Sequence, residues 1–143
     1  FPLATTFNDT VAMDLKTYSN GYMFHMIDHA TRYSQACFIR NKQSGTIVKA
    51  VLKYWIGIFG TPVRFLSDNG GEFVNAEFNE LAEKFNIKVL TTAAESPWSN
   101  GLCEKHNGIL GDMIQKSMND GVKDLELAIH WSTAAKNSLP LWF

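Results

Sequence analysis

Residues 9–18 alternate with a period of two, placing Val11, Met13 and Leu15 on one side and Asp14 on the other. This predicts a strand with an acid on the face opposite its apolar set. Ser19-Asn20-Gly21 is a turn signal and suits a hairpin. Two further strand-like runs, 22–28 and 33–40, are joined by the short link His29-Ala30-Thr31-Arg32. Three successive strands with short links predict an antiparallel meander. From Ser44 the period lengthens, with Ile47, Val51, Tyr54, Trp55 and Ile58 recurring at helical spacing until Gly60 and Pro62. One helix over 44–59 follows. Residues 63–67 read as a short buried strand ending at Asp68. Because a helix separates that strand from the meander, it is expected to join the same sheet in parallel, giving a mixed sheet with helices on its faces.

Asn75 is placed to cap a helix whose apolar face is Phe78, Leu81, Ala82 and Phe85, and residues 87–91 read as one more strand. Residues 93–101 are the longest polar, turn-rich stretch, punctuated by Pro97 and Gly101, and are expected to form a loop. The helix that follows, to about Asn119, places Leu102, His106, Ile109, Leu110, Met113 and Ser117 along one stripe. Glu104 then lies about 160° from His106, on an outer face shared with Gly108, Gly111 and Gln115. Interior helical glycines each cost about 1 kcal/mol against alanine. They mark either the close approach of a large partner or a helix that is simply not optimised. A last helix over 124–138 carries Leu127, Ala128, Trp131, Ala134 and Ala135 as its apolar positions.

At 143 residues, with 45% hydrophobic and 19% charged residues, the chain suits one globular domain spanning 1–143. It opens on Phe1 rather than Met, which reads as a piece of something longer. No apolar run is long enough to span a bilayer, so no membrane partner is expected. Cys37 and Cys103 have no motif spacing and the four histidines form no Cys/His zinc pattern. Small buried thiols in a reduced intracellular compartment are therefore expected. A net charge of −1 argues against a strongly basic nucleic-acid surface.

Three acids stand at predicted element ends: Asp14, Asp68 and Glu104, with 35 residues between the last two. Clustered carboxylates repel one another unless a cation neutralises them. Oxygen-only ligands favour Mg²⁺ or Mn²⁺ over zinc, and two such ions about 3.5–4 Å apart serve phosphodiester displacement. The reaction class proposed on these grounds is phosphoryl transfer on nucleic acid. Each acid taken singly also has a structural reading, as a strand-edge acid, a turn cap and a helix-dipole partner respectively. Asp28, Glu72 and Glu95 are read as turn or loop acids, and His106 as a packed core histidine.

The strings Val11-Ala-Met-Asp-Leu15, Ile27-Asp-His-Ala-Thr-Arg-Tyr33, Phe59-Gly-Thr-Pro62, Ser67-Asp-Asn-Gly-Gly-Glu-Phe73 and Ser99-Asn-Gly-Leu-Cys-Glu-Lys-His-Asn107 add a resemblance. Over about residues 9–139 the chain resembles the catalytic core of retroviral and Gypsy-like LTR-retrotransposon integrases, including the 35-residue spacing of that family's acidic triad. The resemblance implies an RNase H-like fold with a five-stranded mixed sheet, three strands antiparallel and the others parallel. It implies Asp14, Asp68 and Glu104 as catalytic ligands of two Mg²⁺ or Mn²⁺ ions. The implied activity is 3′-end trimming followed by strand transfer into target DNA, in the nucleus or elsewhere inside the cell. Asn107 matches a family asparagine near the DNA end. Residues 93–101 match the catalytic loop, with Trp98, Ser99 and Asn100, and Lys105 just after it, as DNA contacts; Trp98 stands where many relatives have Gln. Element ends and target DNA are the implied partners, along with a homodimer or higher homo-oligomer built through core helices, with Trp55 or Trp131 as contact residues. The family's zinc-binding and basic flanking domains are not expected within these residues, and the terminal Ser138-Leu-Pro-Leu-Trp-Phe143 departs from the family pattern.

Two other readings stand beside this one. A captured, non-catalytic DNA- or protein-binding domain would keep the fold without the chemistry. An RNase H-type nuclease would call for an additional acid on the first helix, where residues 44–59 have none.

Overall fold

The computed structural model describes residues 6–68, 70–91 and 101–139. Five strands form one mixed sheet: β1 (Thr10–Tyr18), β2 (Gly21–Asp28), β3 (Ser34–Ile39), β4 (Arg64–Ser67) and β5 (Lys88–Thr91), in the order β3-β2-β1-β4-β5. The first three are antiparallel, while β4 joins β1 and β5 joins β4 in parallel, as the helical crossovers require. The β1–β2 turn is tight, pairing Tyr18 with Gly21. A Cβ at Gly21 would come within 2.6 Å of the Ile39 carbonyl oxygen and the Phe38 ring, so only glycine allows β2 to start there beside β3.

Alternation along β1 separates two cores. Val11 and Met13 face one side with Phe24, Met26 and Phe65, and are covered by Ile47, Val51, Trp55 and Phe78. Ala12 faces the other side with Ile27, Leu66 and Cys103. Beside them Met23 and Ala36 pack on Leu110, Ile114, Ala128 and Ile129.

The first core is roofed by α1 and α2. Helix α1 begins as Ser44–Val51, widens into a π-helical stretch over Leu52–Ile56 and closes with a last turn at Gly57–Phe59. The single regular helix expected over 44–59 is thus corrected. The widened turn brings the Leu52 carbonyl oxygen to 2.8 Å from where a Cβ on Gly57 would lie, and the glycine leaves that space free. Gln35 Nε2 of β3 donates to the Tyr54 carbonyl at 2.9 Å, satisfying a helix acceptor from the sheet. Trp55 is fully buried, 4.8 Å from the Phe59 ring centroid, and its Nε1–H donates to Asn8 Oδ1 at 2.8 Å. Ile58, expected on the apolar face, points outward at 57% exposure. Helix α2 (Ala76–Lys84) is capped as predicted, the Asn75 side chain accepting from Phe78 N–H at 2.9 Å. Phe78, Leu81 and Ala82 are buried, but Phe85 lies just past the helix and is exposed.

Helices α3 (Gly101–Asn119) and α4 (Leu125–Asn137) cover the other face. Both faces differ from expectation. On α3 the buried stripe is Cys103, His106, Leu110, Gly111 and Ile114, about one position off the expected one. Gly111 therefore lies inward, where the Lys16 ammonium of β1 reaches over it, whereas a Cβ at Gly108 would meet nothing within 4 Å among the described residues. On α4 the buried residues are Ala128, Ile129, Ser132, Thr133 and Lys136, while Leu127, Trp131, Ala134 and Ala135 face out. The more apolar stripe is the exposed one. The opposite face is selected because the sheet edge below it presents polar groups that need partners. Lys136 Nζ donates to the Arg32 carbonyl at 2.9 Å, and Asn137 bonds both the N–H and the carbonyl of Ser34 at 2.8 Å.

Candidate active site

Asp14 sits mid-β1 on the α3 side of the sheet, Asp68 directly follows the last residue of β4, and Glu104 lies in the first turn of α3. The parallel pairing of β4 on β1 brings the first two elements together, and α3 crosses β1. Asp14 is half-buried. Its carboxyl is raised above the usual carboxylate range, first by burial and then by the negative charges of Asp68 and Glu104. The expected trio therefore shares one electrostatic neighbourhood. Among the described residues no three His, Cys, Asp or Glu side chains are gathered tightly enough to hold a single ion. The donor chemistry nevertheless fits a hard divalent cation, since all three groups are carboxylates and a cation would relieve the repulsion that Asp14 bears.

Both Asp14 oxygens are engaged by the protein. Oδ1 accepts from the Leu15 N–H at 2.8 Å, and Oδ2 accepts from Asn107 Nδ2 at 3.1 Å. Asn107 is one helical turn after Glu104, so α3 presents both toward β1. Asp68 Oδ1 accepts from the Gly70 N–H at 3.0 Å. Lys105 is exposed beside Glu104. Trp98, Ser99 and Asn100 lie outside the described residues, as does most of the expected loop over 93–101.

Of the acids expected to be structural, Glu72 lies in a turn between β4 and α2. Asp28 is buried and closes the β2–β3 link, accepting from the Asn8 N–H and from the N–H and hydroxyl of Thr31, each at 2.8 Å. Glu95 lies outside the described residues. Cys37 and Cys103 are free and buried; burial pushes the Cys37 thiol up to about 12 and the Cys103 thiol well above its ordinary value, so neither is a nucleophile.

Behind the acids lies a buried polar layer of which the sequence singled out only His106. His25 is paired directly across from Asp14 on β2 and is fully buried, with Nε2 2.8 Å from Ser34 Oγ. His106 is buried as expected, and Lys136 is buried beside them. Burial, reinforced by Lys136 and His106, lowers His25 to about 3; burial, with Lys136 next, lowers His106 to about 4; Lys136 itself falls to about 8, mainly through burial. Burial also lowers His29. The pairing of His25 with Asp14 was within reach of sequence reasoning, because a two-residue hairpin loop at Ser19-Asn20 dictates it.

These shifts set an acid limit on stability. Unfolded histidines titrate near 6.5, well above the folded values of about 3 and about 4. The unfolded chain therefore holds more protons as pH falls below 6.5, and stability present above that pH is progressively lost. His25 alone contributes a slope approaching about 1.4 kcal/mol per pH unit between about pH 6 and 4. His29 adds in the same sense. The raised Asp14 opposes them, because in the fold it takes up its proton before the unfolded chain does. Urea melts at successive pH values from about 7.5 to about 4.5 are expected to show a net steady fall.

Comparison with known proteins gives a consistent answer. Residues 4–97 match the family model described as "Integrase core domain". The Gag-Pro-Pol polyprotein of Human T-cell leukemia virus 3 (strain 2026ND) is 30% identical over 112 residues, covering 78% of this chain and 8% of that polyprotein. The retrovirus-related Pol polyprotein from transposon 412 of Drosophila melanogaster is 26% identical over 112 residues, covering 78% of this chain and 9% of that polyprotein. The chain thus spans under a tenth of these relatives. Among solved structures, the HTLV-2 integrase catalytic core domain in complex with magnesium (dimeric form) superposes with a TM-score of 0.80 at 24% identity, over 94% of this chain and 89% of that one. The fold is that of an integrase core, which is RNase H-like.

Proposed function

We propose a function from one premise: the chain belongs to the integrase core domain family of retroviruses and LTR retrotransposons, whose members are polynucleotidyl transferases. On that premise it is the catalytic core of a DNA integrase, a single domain over residues 1–143. In the first step water attacks a phosphodiester near the element's 3′ end. A new P–O bond forms to the water oxygen, the bond to the 3′ oxygen of the trimmed strand breaks, and that oxygen leaves as a hydroxyl. In the second step the trimmed 3′-hydroxyl attacks a target-strand phosphorus, and the displaced target oxygen leaves as the new 3′-hydroxyl.

Asp14, Asp68 and Glu104 would hold two Mg²⁺ or Mn²⁺ ions, which supply acidification of the attacking hydroxyl and charge neutralisation at the leaving oxygen. The chain's own part is orientation. Leu15 N–H and Asn107 hold Asp14, and the Gly70 N–H holds Asp68. Asn107, Lys105, Trp98, Ser99 and Asn100 are the proposed DNA contacts, with element ends and target DNA as partners, and an intracellular, nuclear location follows from that substrate. A homodimer or larger homo-oligomer is proposed through α4. Trp131 at 66% exposure lines an apolar groove with Leu127, Ala134 and Ala135, whereas Trp55 at 0% is a core residue and is withdrawn as a contact.

The observation that carries the reading is the placement of Asp14 on β1, of Asp68 at the end of the strand paired with it, and of Glu104 on the helix that packs over β1, as a triad whose spacing matches the family. The test is a Mn²⁺ titration followed by thermal melting, run beside a joining assay on an element-end duplex. Stabilisation that grows with Mn²⁺, together with joined product that disappears in chelator, is expected. A melting point indifferent to Mn²⁺ with no joined product would instead favour a captured binding domain.

A further inference from the structure

We propose that His25, acting through Asn107, is a positioning residue for the Asp14 carboxylate, and that Ser34 and Asn137 in turn hold His25. The role rests on the reading of Asp14 as a catalytic carboxylate.

The chain of contacts runs from the edge of the sheet to the acid. The β1–β2 register pairs Asp14 with His25, and Ile27, two residues on, pairs with Ser34. Directly paired residues share a face and positions two apart share it as well, so all three side chains lie under α3 and α4. The main chain of Ser34 is clamped on both its N–H and its carbonyl by Asn137, each at 2.8 Å. Its hydroxyl meets His25 Nε2 at 2.8 Å. At the other end, Asn107 Nδ2 donates to Asp14 Oδ2 at 3.1 Å.

Two atoms in the middle of this chain are left over. His25 Nδ1 and Asn107 Oδ1 are both buried without a hydrogen-bond partner among the described residues. One is an amide acceptor, and the other becomes a donor when the imidazole proton sits on Nδ1. His25 is the direct cross-strand partner of Asp14 and Asn107 is hydrogen-bonded to that same Asp14, so the two leftover atoms belong to side chains gathered around one carboxylate on one face of the sheet. With the proton on Nδ1, every group in the chain finds a use. Ser34 Oγ–H donates to Nε2, Nδ1–H faces Asn107 Oδ1, and the amide is thereby oriented with Nδ2 toward Asp14. With the amide reversed, its oxygen would face the carboxylate and its NH₂ would face an N–H. The imidazole thus decides which end of Asn107 meets the acid, leaving the outer lone pairs of Asp14 free for a cation or substrate.

The test separates the two ring nitrogens. His25→Asn places an amide NH₂ where Nδ1 lies, and His25→Gln places one near Nε2. His25→Asn is expected to keep Mn²⁺ affinity and end-joining kcat within about threefold of the parent. His25→Gln is expected to lose about tenfold or more in both, the range seen when partners of metal-ligating groups are removed, with KM for DNA unchanged. Mn²⁺ affinity is read by calorimetry with the metal alone, so it does not depend on turnover. Equal losses in the two variants that track their melting points would overturn the proposal in favour of a packing role. So would parental behaviour in both. Nitrogen-15 NMR of the parent protein's imidazoles gives a second reading that needs no variant: Nδ1-protonated neutral His25 is expected, and an Nε2-protonated ring overturns the proposal. If the parent neither binds Mn²⁺ nor joins DNA, the integrase reading fails, while the NMR result still decides the tautomer.

Discussion

The Asp68→Asn variant is expected to lose DNA joining by about 10³-fold or more while folding as the parent does. Asp68 is exposed, and its side-chain hydrogen bond from the Gly70 N–H to Oδ1 can be accepted equally by the asparagine oxygen. Stability should therefore move by less than about 0.5 kcal/mol. What disappears is a charge, which would leave the proposed metal-holding set with two carboxylates. The same charge raises the proton affinity of Asp14, so its removal should let the Asp14 carboxyl fall back toward its ordinary range. Joining of a labelled element-end duplex in Mn²⁺, measured beside a melting curve, checks both halves. Equal product from variant and parent would sink the catalytic assignment of Asp68.

The second large effect concerns stability. Trp55→Ala is expected to cost about 3–5 kcal/mol, a large share of the roughly 5–15 kcal/mol that holds a domain of this kind together. The indole is fully buried, packs against Phe59 at 4.8 Å and Phe7 at 6.1 Å, and donates to Asn8 Oδ1. Asn8 also bonds the carbonyls of Phe59 and Gly60, so the end of α1 loosens along with the cavity. Trp55→Phe retains most of the volume and should cost about 1–2 kcal/mol, mainly for the unpaired amide. Urea melts of the two variants check the order. A loss below about 1 kcal/mol in Trp55→Ala would mean that the π-helical stretch collapses to refill the space.

The antiparallel meander and the parallel entry of the fourth strand into the same sheet were legible before the structure, because alternation, turn residues and the crossover helix leave few topologies open; that the fourth strand lies beside β1 was not. Asp68 and Glu104 were legible because they fall where those elements end or begin, whereas Asp14, expected at an element end, lies in the middle of β1 and was marked only by standing opposite that strand's apolar set. Helix faces were less so. On α4 the stripe of Leu127, Trp131 and Ala134 is more apolar than the buried stripe containing Ser132, Thr133 and Lys136, and a hydrophobic period cannot register that the sheet below offers bare polar groups. On α3 a shift of one position carried Gly111 from the outer face to the inner one. The π-helical stretch was hidden for a related reason: its sequence keeps helical spacing, and the carbonyl of Tyr54 is satisfied by Gln35 from another element.

The sequence by itself determined the mixed sheet and the family and marked the three candidate acids, since each is written in local periodicity or in short strings. Only the tertiary structure decided what surrounds Asp14. Asn107 reaches Asp14 across 93 positions of chain, and His25 becomes relevant only when α3 lays that amide beside it. Which buried polar atoms meet depends on how two helices cross a sheet, and neither helix carries that crossing in its own pattern.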